Sequence, residues 1–114
     1  MARLSRMVKS GLTIRHLYVL DDAGEPRPAK DFIEWAQFFE TGKRQVALNE
    51  IGDMRVSTVF MGIAVNPLSD HPILFESMVF DAEHHGLRTL RARSRKVALE
   101  QHQTLVEECR KKLQ

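Results

Sequence analysis

The chain has 114 residues, the size of one ordinary domain, with room for one hydrophobic core and not two. With 43% hydrophobic and 28% charged residues it reads as globular rather than disordered, and a formal charge of +2 is too small to imply nucleic acid by itself. A single cysteine, Cys109, excludes an internal disulfide framework and a cysteine-built zinc site; its simplest reading is a small helix side chain in a reducing compartment.

Residues Met1 to Gly11 carry Arg3, Arg6 and Lys9 among scattered apolar residues and read as a loosely docked basic arm. The arm lacks the apolar stretch of a secretory signal, and no apolar run approaches the ~20 residues that span a bilayer, so a cytoplasmic protein is expected. Thr13 to Leu20 is β-branched and apolar, the pattern of a strand. Asp21 to Pro28 is dense in turn residues and predicts a loop. Ala29 to Thr41 predicts a helix, with Phe32, Trp35, Ala36 and Phe39 on one face and Gly42 where it stops. Core packing is the first reading of these aromatics; a stacking platform for bases is the second.

Gln45 to Ile51 and Met54 to Ile63 flank Gly52-Asp53, which predicts a hairpin closed by a type II′ turn, since that turn places glycine first. After a loop at Asn66 to Pro72, Ile73 to Phe80 predicts a further strand. Asp81 to Gly86 is a polar turn, and Leu87 to Ala92 a short basic edge strand. Ser94 is placed to cap a final helix, Arg95 to Leu113, whose apolar stripe runs Ala98, His102, Leu105 and Cys109, with Leu99, Val106 and Leu113 beside it. The order β-α-β-β-β-(β)-α predicts an α+β fold: an antiparallel sheet of four to five strands with two helices on one face, as a single domain over 1–114.

A sheet covered on one face should alternate apolar and polar residues, yet here both faces carry large apolar groups. Val56, Thr58 and Phe60 oppose Ser57, Val59, Met61 and Ile63; Leu74, Glu76, Met78 and Phe80 oppose Ile73, Phe75, Ser77 and Val79. Two helices of this length cannot cover both faces, so a homodimer or a foreign partner is expected, with Phe60, Met78 and Phe80 as the contact. The alternative is internal covering by the arm and loops.

Chemistry-bearing clusters are sparse. His84-His85 with Asp81 and Glu83 is the most metal-like group, but adjacent side chains diverge in extended chain and the spacing matches no metal motif, so no metal is expected. His16 and His71 would be the further ligands of such a site. His102 sits on an apolar helix stripe and reads as a core histidine bonded to backbone rather than a general base. Glu76 on an apolar strand needs a donor if buried, from Thr58 or Arg55. No phosphate-binding glycine motif follows a strand, so no cofactor is expected. Arg88, Arg91, Arg93, Arg95 and Lys96 form the clearest charge cluster, which suits nucleic acid or an acidic protein partner. Glu100, Glu107 and Glu108 on the same helix, and the absence of interleaved aromatics, weigh against nucleic acid.

Arg55-Val56-Ser57-Thr58-Val59-Phe60-Met61-Gly62 and Leu74-Phe75-Glu76-Ser77-Met78-Val79-Phe80 resemble the V-S-T-V-F-L-G and L-F-E-T-M-V-F strands of a family of small bacteriophage and prophage proteins. The tryptophan helix Asp31 to Phe39, and Ala98 and His102 in the last helix, extend the likeness over about residues 28–106. The chain departs from that pattern at Ile63 to Pro67, where the family has Asp-His and a glycine-rich loop, and at Arg93 to Lys96, where the family has a tryptophan. The resemblance implies a mobile-element setting. The expectation is a non-enzymatic accessory protein that binds a host protein, such as a CRISPR or other defence component. A nucleic-acid-binding protein using Arg88 to Lys96 is the alternative. A nucleotide pocket around Ala64 to Pro72, His84 and His102 is weaker.

Overall fold

A computed structural model describes residues 14–66 and 68–114; the basic arm and Thr13 lie outside the described residues. A 3-10 turn at Ile14–His16 leads into strands β1 (Tyr18–Leu20) and β2 (Pro26–Pro28) and helix α1 (Phe32–Thr41). Strands β3 (Gln45–Ile51), β4 (Met54–Phe60), β5 (Phe75–Phe80) and β6 (Gly86–Ala92) follow, and helix α2 (Arg95–Lys112) closes the chain. β1 and β2 form a small antiparallel ladder; the other four strands form a separate antiparallel sheet in chain order. The fold is α+β, as the sequence predicts, with four strands in the main sheet.

Two segments before α1 differ from expectation, and β5 begins at Phe75 rather than Ile73. The strand expected from Thr13 is shorter, because the 14–16 turn precedes it and the His16 carbonyl accepts the Ala64 N–H. The expected loop at Asp21 to Pro28 contains β2, despite its two prolines. The bonded partners flanking this ladder are Leu17 with Ala29 and Asp21 with Glu25. Pro26 and Pro28 therefore fall on the alternate positions that donate nothing to β1.

α1 begins at Phe32 because Asp31 caps it, accepting the Glu34 N–H at 2.7 Å. Glu34 is then gripped by both guanidinium nitrogens of Arg27, each at 2.8 Å, and by the Lys30 N–H; these bonds hold its carboxyl down to about 2. The apolar face of α1 packs on β1, with Trp35 buried among Leu17, Val19 and Ala29. Phe38 touches this cluster and also lies edge-on to Phe60 in the next one.

Trp35 also fixes the end of β4. Its indole N–H donates to the Gly62 carbonyl at 2.9 Å, an oxygen that also accepts the Tyr18 N–H. Gly62 has φ +78, and a β-carbon there would sit 3.4 Å from the indole nitrogen. The strand therefore stops at Phe60 instead of running to Ile63, which makes only a single bridge to Leu17. Trp35→Phe is expected to destabilise the fold by about 1–2 kcal/mol, from one lost buried hydrogen bond and lost ring volume, read by urea denaturation.

α2 is capped as expected, the Ser94 hydroxyl accepting the Val97 N–H at 3.2 Å. It lies across all four strands and buries Ala98, His102, Leu105, Val106 and Cys109. The β3–β4 turn is the expected two-residue type, with φ +59 at Gly52 and Ile51 opposite Met54.

Candidate functional site: the open face of the sheet

The registers assign every strand residue to a face. Val56 lies opposite Val79, Thr58 opposite Ser77 and Phe60 opposite Phe75, and all six are buried beneath the helices. Their neighbours point the other way, onto a face that no helix covers among the described residues. Across the sheet from β3 to β6, this open face reads Glu50–Arg55–Phe80–Gly86, then Leu48–Ser57–Met78–Thr89, then Gln45–Val59–Glu76–Arg91.

Met78 and Phe80 thus stand side by side on the open face, half-buried, as the strand alternation predicts. Phe60 does not join them. It is 0% exposed and packs against Phe75 (centroids 5.5 Å apart) and Phe38 (5.8 Å). The physical reason is parity: Phe60 pairs with Phe75, an odd number of residues from Met78 and Phe80, so its side chain points to the opposite face. Leu48 and Val59 share the open face instead, and Leu48 was legible in advance. A two-residue turn that sets Ile51 opposite Met54 also sets Leu48 opposite Ser57.

The charges on this face are internally paired. Arg55 meets Glu50 at 3.3 Å, and Arg91 meets Glu76 at 3.2 Å. Glu76 therefore takes its donor from β6; Thr58, one expected donor, lies on the buried face. Beyond the Val59 end, a cleft of about 680 Å³ runs under the α1 C-terminus, where the Arg44 guanidinium sits 3.9 Å over the Phe39 ring.

The basic cluster is not one surface. Arg88 lies on the helix side of β6 and pairs with Glu108 at 3.0 Å. Arg91 lies on the open face. Arg93 donates to the His71 carbonyl at 3.0 Å, and Arg95 lies against Gly24. Lys96 is exposed in the first turn of α2. Alternation along β6 separates Arg88 from Arg91, and local carboxylates neutralise both.

Asp81, Glu83 and His85 offer ligand atoms within 4.8 Å of one another in the β5–β6 turn. Asp81 already serves the turn, accepting the Glu83 and His85 N–H groups and lying 3.2 Å from the His85 ring. These bonds, the His85 N–H foremost, hold its carboxyl below the usual carboxylate range. His84 has φ +67 and is exposed, and it is not among the three residues whose ligand atoms converge.

His102 is a core histidine, but its partners are side chains rather than backbone. Nδ1 lies 2.8 Å from the Thr58 hydroxyl, which lies 2.6 Å from that of Ser77, and Nε2 lies 2.7 Å from Asn49 Oδ1. Burial lowers its pKa below the ordinary 6.5, and burial likewise raises that of the Cys109 thiol. Ser77 and Thr58 are 1% and 0% exposed, so the two hydroxyls of this chain are closed to solvent. The cleft beside the Ala64 to Pro72 loop, about 510 Å³, includes Arg15, His16, Tyr18 and Asp70 in its lining and neither His84 nor His102. The three parts of the expected nucleotide pocket are not brought together.

In comparisons with known proteins, no family model, no curated protein and no solved structure matches the chain. No helix among the described residues is long and apolar enough to cross a membrane.

Proposed function

We propose that this chain is a phage- or prophage-encoded accessory protein that acts by binding a host protein, a defence component such as a CRISPR effector being the leading class, and not by catalysis. The observation that carries the binding reading is the open sheet face, where Met78, Phe80, Val59 and Leu48 lie together without a covering element among the described residues. The flanking charges are satisfied within the chain, so a partner would meet an apolar centre with a neutralised rim. The strand motifs that resemble phage proteins supply the setting.

Nucleic acid ranks below this reading, because Arg88 and Arg91 already face carboxylates and Arg93 a carbonyl. A gel shift across a salt series addresses it.

The test is capture from host lysate with wild type, Met78→Asp and Phe80→Asp, alongside plaque assays on a defended host. Both variants should keep the wild-type circular dichroism spectrum and lose binding by on the order of 2 kcal/mol, about thirty-fold, as central interface residues do. Capture and host sensitivity unchanged by either variant would remove the open face from the function.

A further inference from the structure

We infer that the free edge of β3 is a self-association edge, at which two copies pair β3 antiparallel to β3 with Leu48 on the two-fold axis. The two four-stranded sheets then become one continuous sheet. This goes beyond the partner reading and does not depend on it.

Among the described residues, β3 forms ladder hydrogen bonds only with β4. Ile51 and Met54 close a two-residue turn, so Ile51, Asn49 and Ala47 direct their backbone groups to β4. Leu48 and Glu50 therefore direct their N–H and C=O groups outward, as an unpaired template.

The two edges of the sheet are built differently. β6 is guarded by Arg88 and Arg91 and by a register break next to Gly86. β3, residues 45–51, has no lysine, arginine or proline, and its single charge, Glu50, faces Arg55. Its own irregularity is confined to Gln45–Ala47, which leaves the stretch to Ile51 regular. β6 carries basic side chains along its length, whereas the protective features of β3 are confined to the bulge at its start and to Glu50, which Arg55 neutralises.

Apolar side chains flank this bare backbone on both sides. Gln101 reaches the Arg91 carbonyl and Glu108 reaches Arg88, so that flank of α2 overhangs β6. The opposite flank, half a turn round, sets Leu99, Val106 and Leu113 over β3, and Leu113 lies against Gly52. Leu99 is 40% exposed and Leu113 58%, while on the other side of the strand Leu48 is 45% exposed.

A second copy fits this edge because the edge is self-complementary. Outward-facing residues pair with each other across an antiparallel ladder, so Leu48 meets Leu48 of the second copy, and Val46 meets Glu50 of the second copy. Strand pairing with the flanking leucines covers roughly 600 Å² per copy, the lower end of interfaces that hold. An interface of this size is expected to dissociate on dilution.

Light scattering on the full chain should show a mass rising with concentration from 13.1 kDa toward twice that value. Leu48→Cys should form a disulfide-linked dimer under mild oxidation, since outward hydrogen-bonded pairs hold Cα atoms about 5.5 Å apart. Cys109 is buried and should not compete. Glu50→Cys, which pairs with Val46 of the second copy, should remain uncrosslinked. Leu48→Lys should weaken the dimer at least tenfold with an unchanged circular dichroism spectrum, and Leu87→Lys on the other edge should not. A mass of 13.1 kDa at every concentration, no Leu48→Cys crosslink, or a dimer indifferent to Leu48→Lys would each overturn the inference. Leu48 also borders the open face, so host-protein capture is scored with Met78→Asp and Phe80→Asp, which leave the β3 edge intact.

Discussion

Phe60→Ala is expected to lower stability by about 3–5 kcal/mol, and the melting temperature by roughly 15 °C or more for a domain of this size. Phe60 is 0% exposed and sits where three elements meet: Phe75 of β5, Phe38 of α1 and Ala98 of α2 share its cluster. Removing the ring leaves a cavity that the close-packed neighbours can only partly fill. Phe80→Ala, on the open face, should cost about 1 kcal/mol or less, because Phe80 is only partly buried and no helix among the described residues covers that face. Thermal and urea denaturation of the two variants in parallel is the measurement. The ordering matters more than either value: if Phe80→Ala is the more damaging, the two faces of the sheet have been assigned the wrong way round.

That contrast also shows how far the sequence can be read. The β3–β4 turn and the register beside it are legible, because a two-residue turn with glycine first fixes them without any tertiary information; the bulge at Gln45–Ala47 and the end of β4 at Phe60 are not. The α2 stripe is legible for the same kind of reason: its period and its Ser94 cap are local. The relation of β4 to β5 is not local. Fourteen residues separate Phe60 from Phe75, so nothing in the sequence says whether Phe60 shares a face with Met78 or with Phe75. Grouping Phe60 with Met78 and Phe80 by size alone was therefore open to a parity error. β2 was hidden because prolines argue against a strand, and only the ladder shows that both occupy positions that need no donor. The His102 partners were hidden because Asn49, Thr58 and Ser77 come from three strands, each residue unremarkable alone.

His102 should make the fold sensitive to mild acid, and His102→Leu should remove that sensitivity. Asn49 Oδ1 can only accept, so Nε2 carries the proton and Nδ1 accepts from the Thr58 hydroxyl; the Thr58 oxygen in turn accepts from Ser77. This chain specifies the neutral ring. A second proton on Nδ1 would confront the Thr58 hydroxyl and force it to turn, in a site where His102 is 4% exposed. Burial therefore lowers the folded-state pKa, while the unfolded chain keeps the ordinary value near 6.5. The unfolded state binds the extra proton first, so the stabilisation is complete above about pH 6.5 and is lost as pH falls from there toward the folded-state pKa. A single proton gives at most about 1.4 kcal/mol per pH unit. His102→Leu strands Asn49 and the Thr58–Ser77 pair, so at pH 7.5 it should be less stable than wild type by about 2–3 kcal/mol. Between pH 7.5 and 5.5 the gap should narrow, because only the unfolded wild-type chain has this site at which to bind a proton. The other histidines are common to both proteins and cancel in the difference. Urea denaturation of the pair at several pH values measures it, and a gap that stays constant over that range would show that His102 does not titrate with folding.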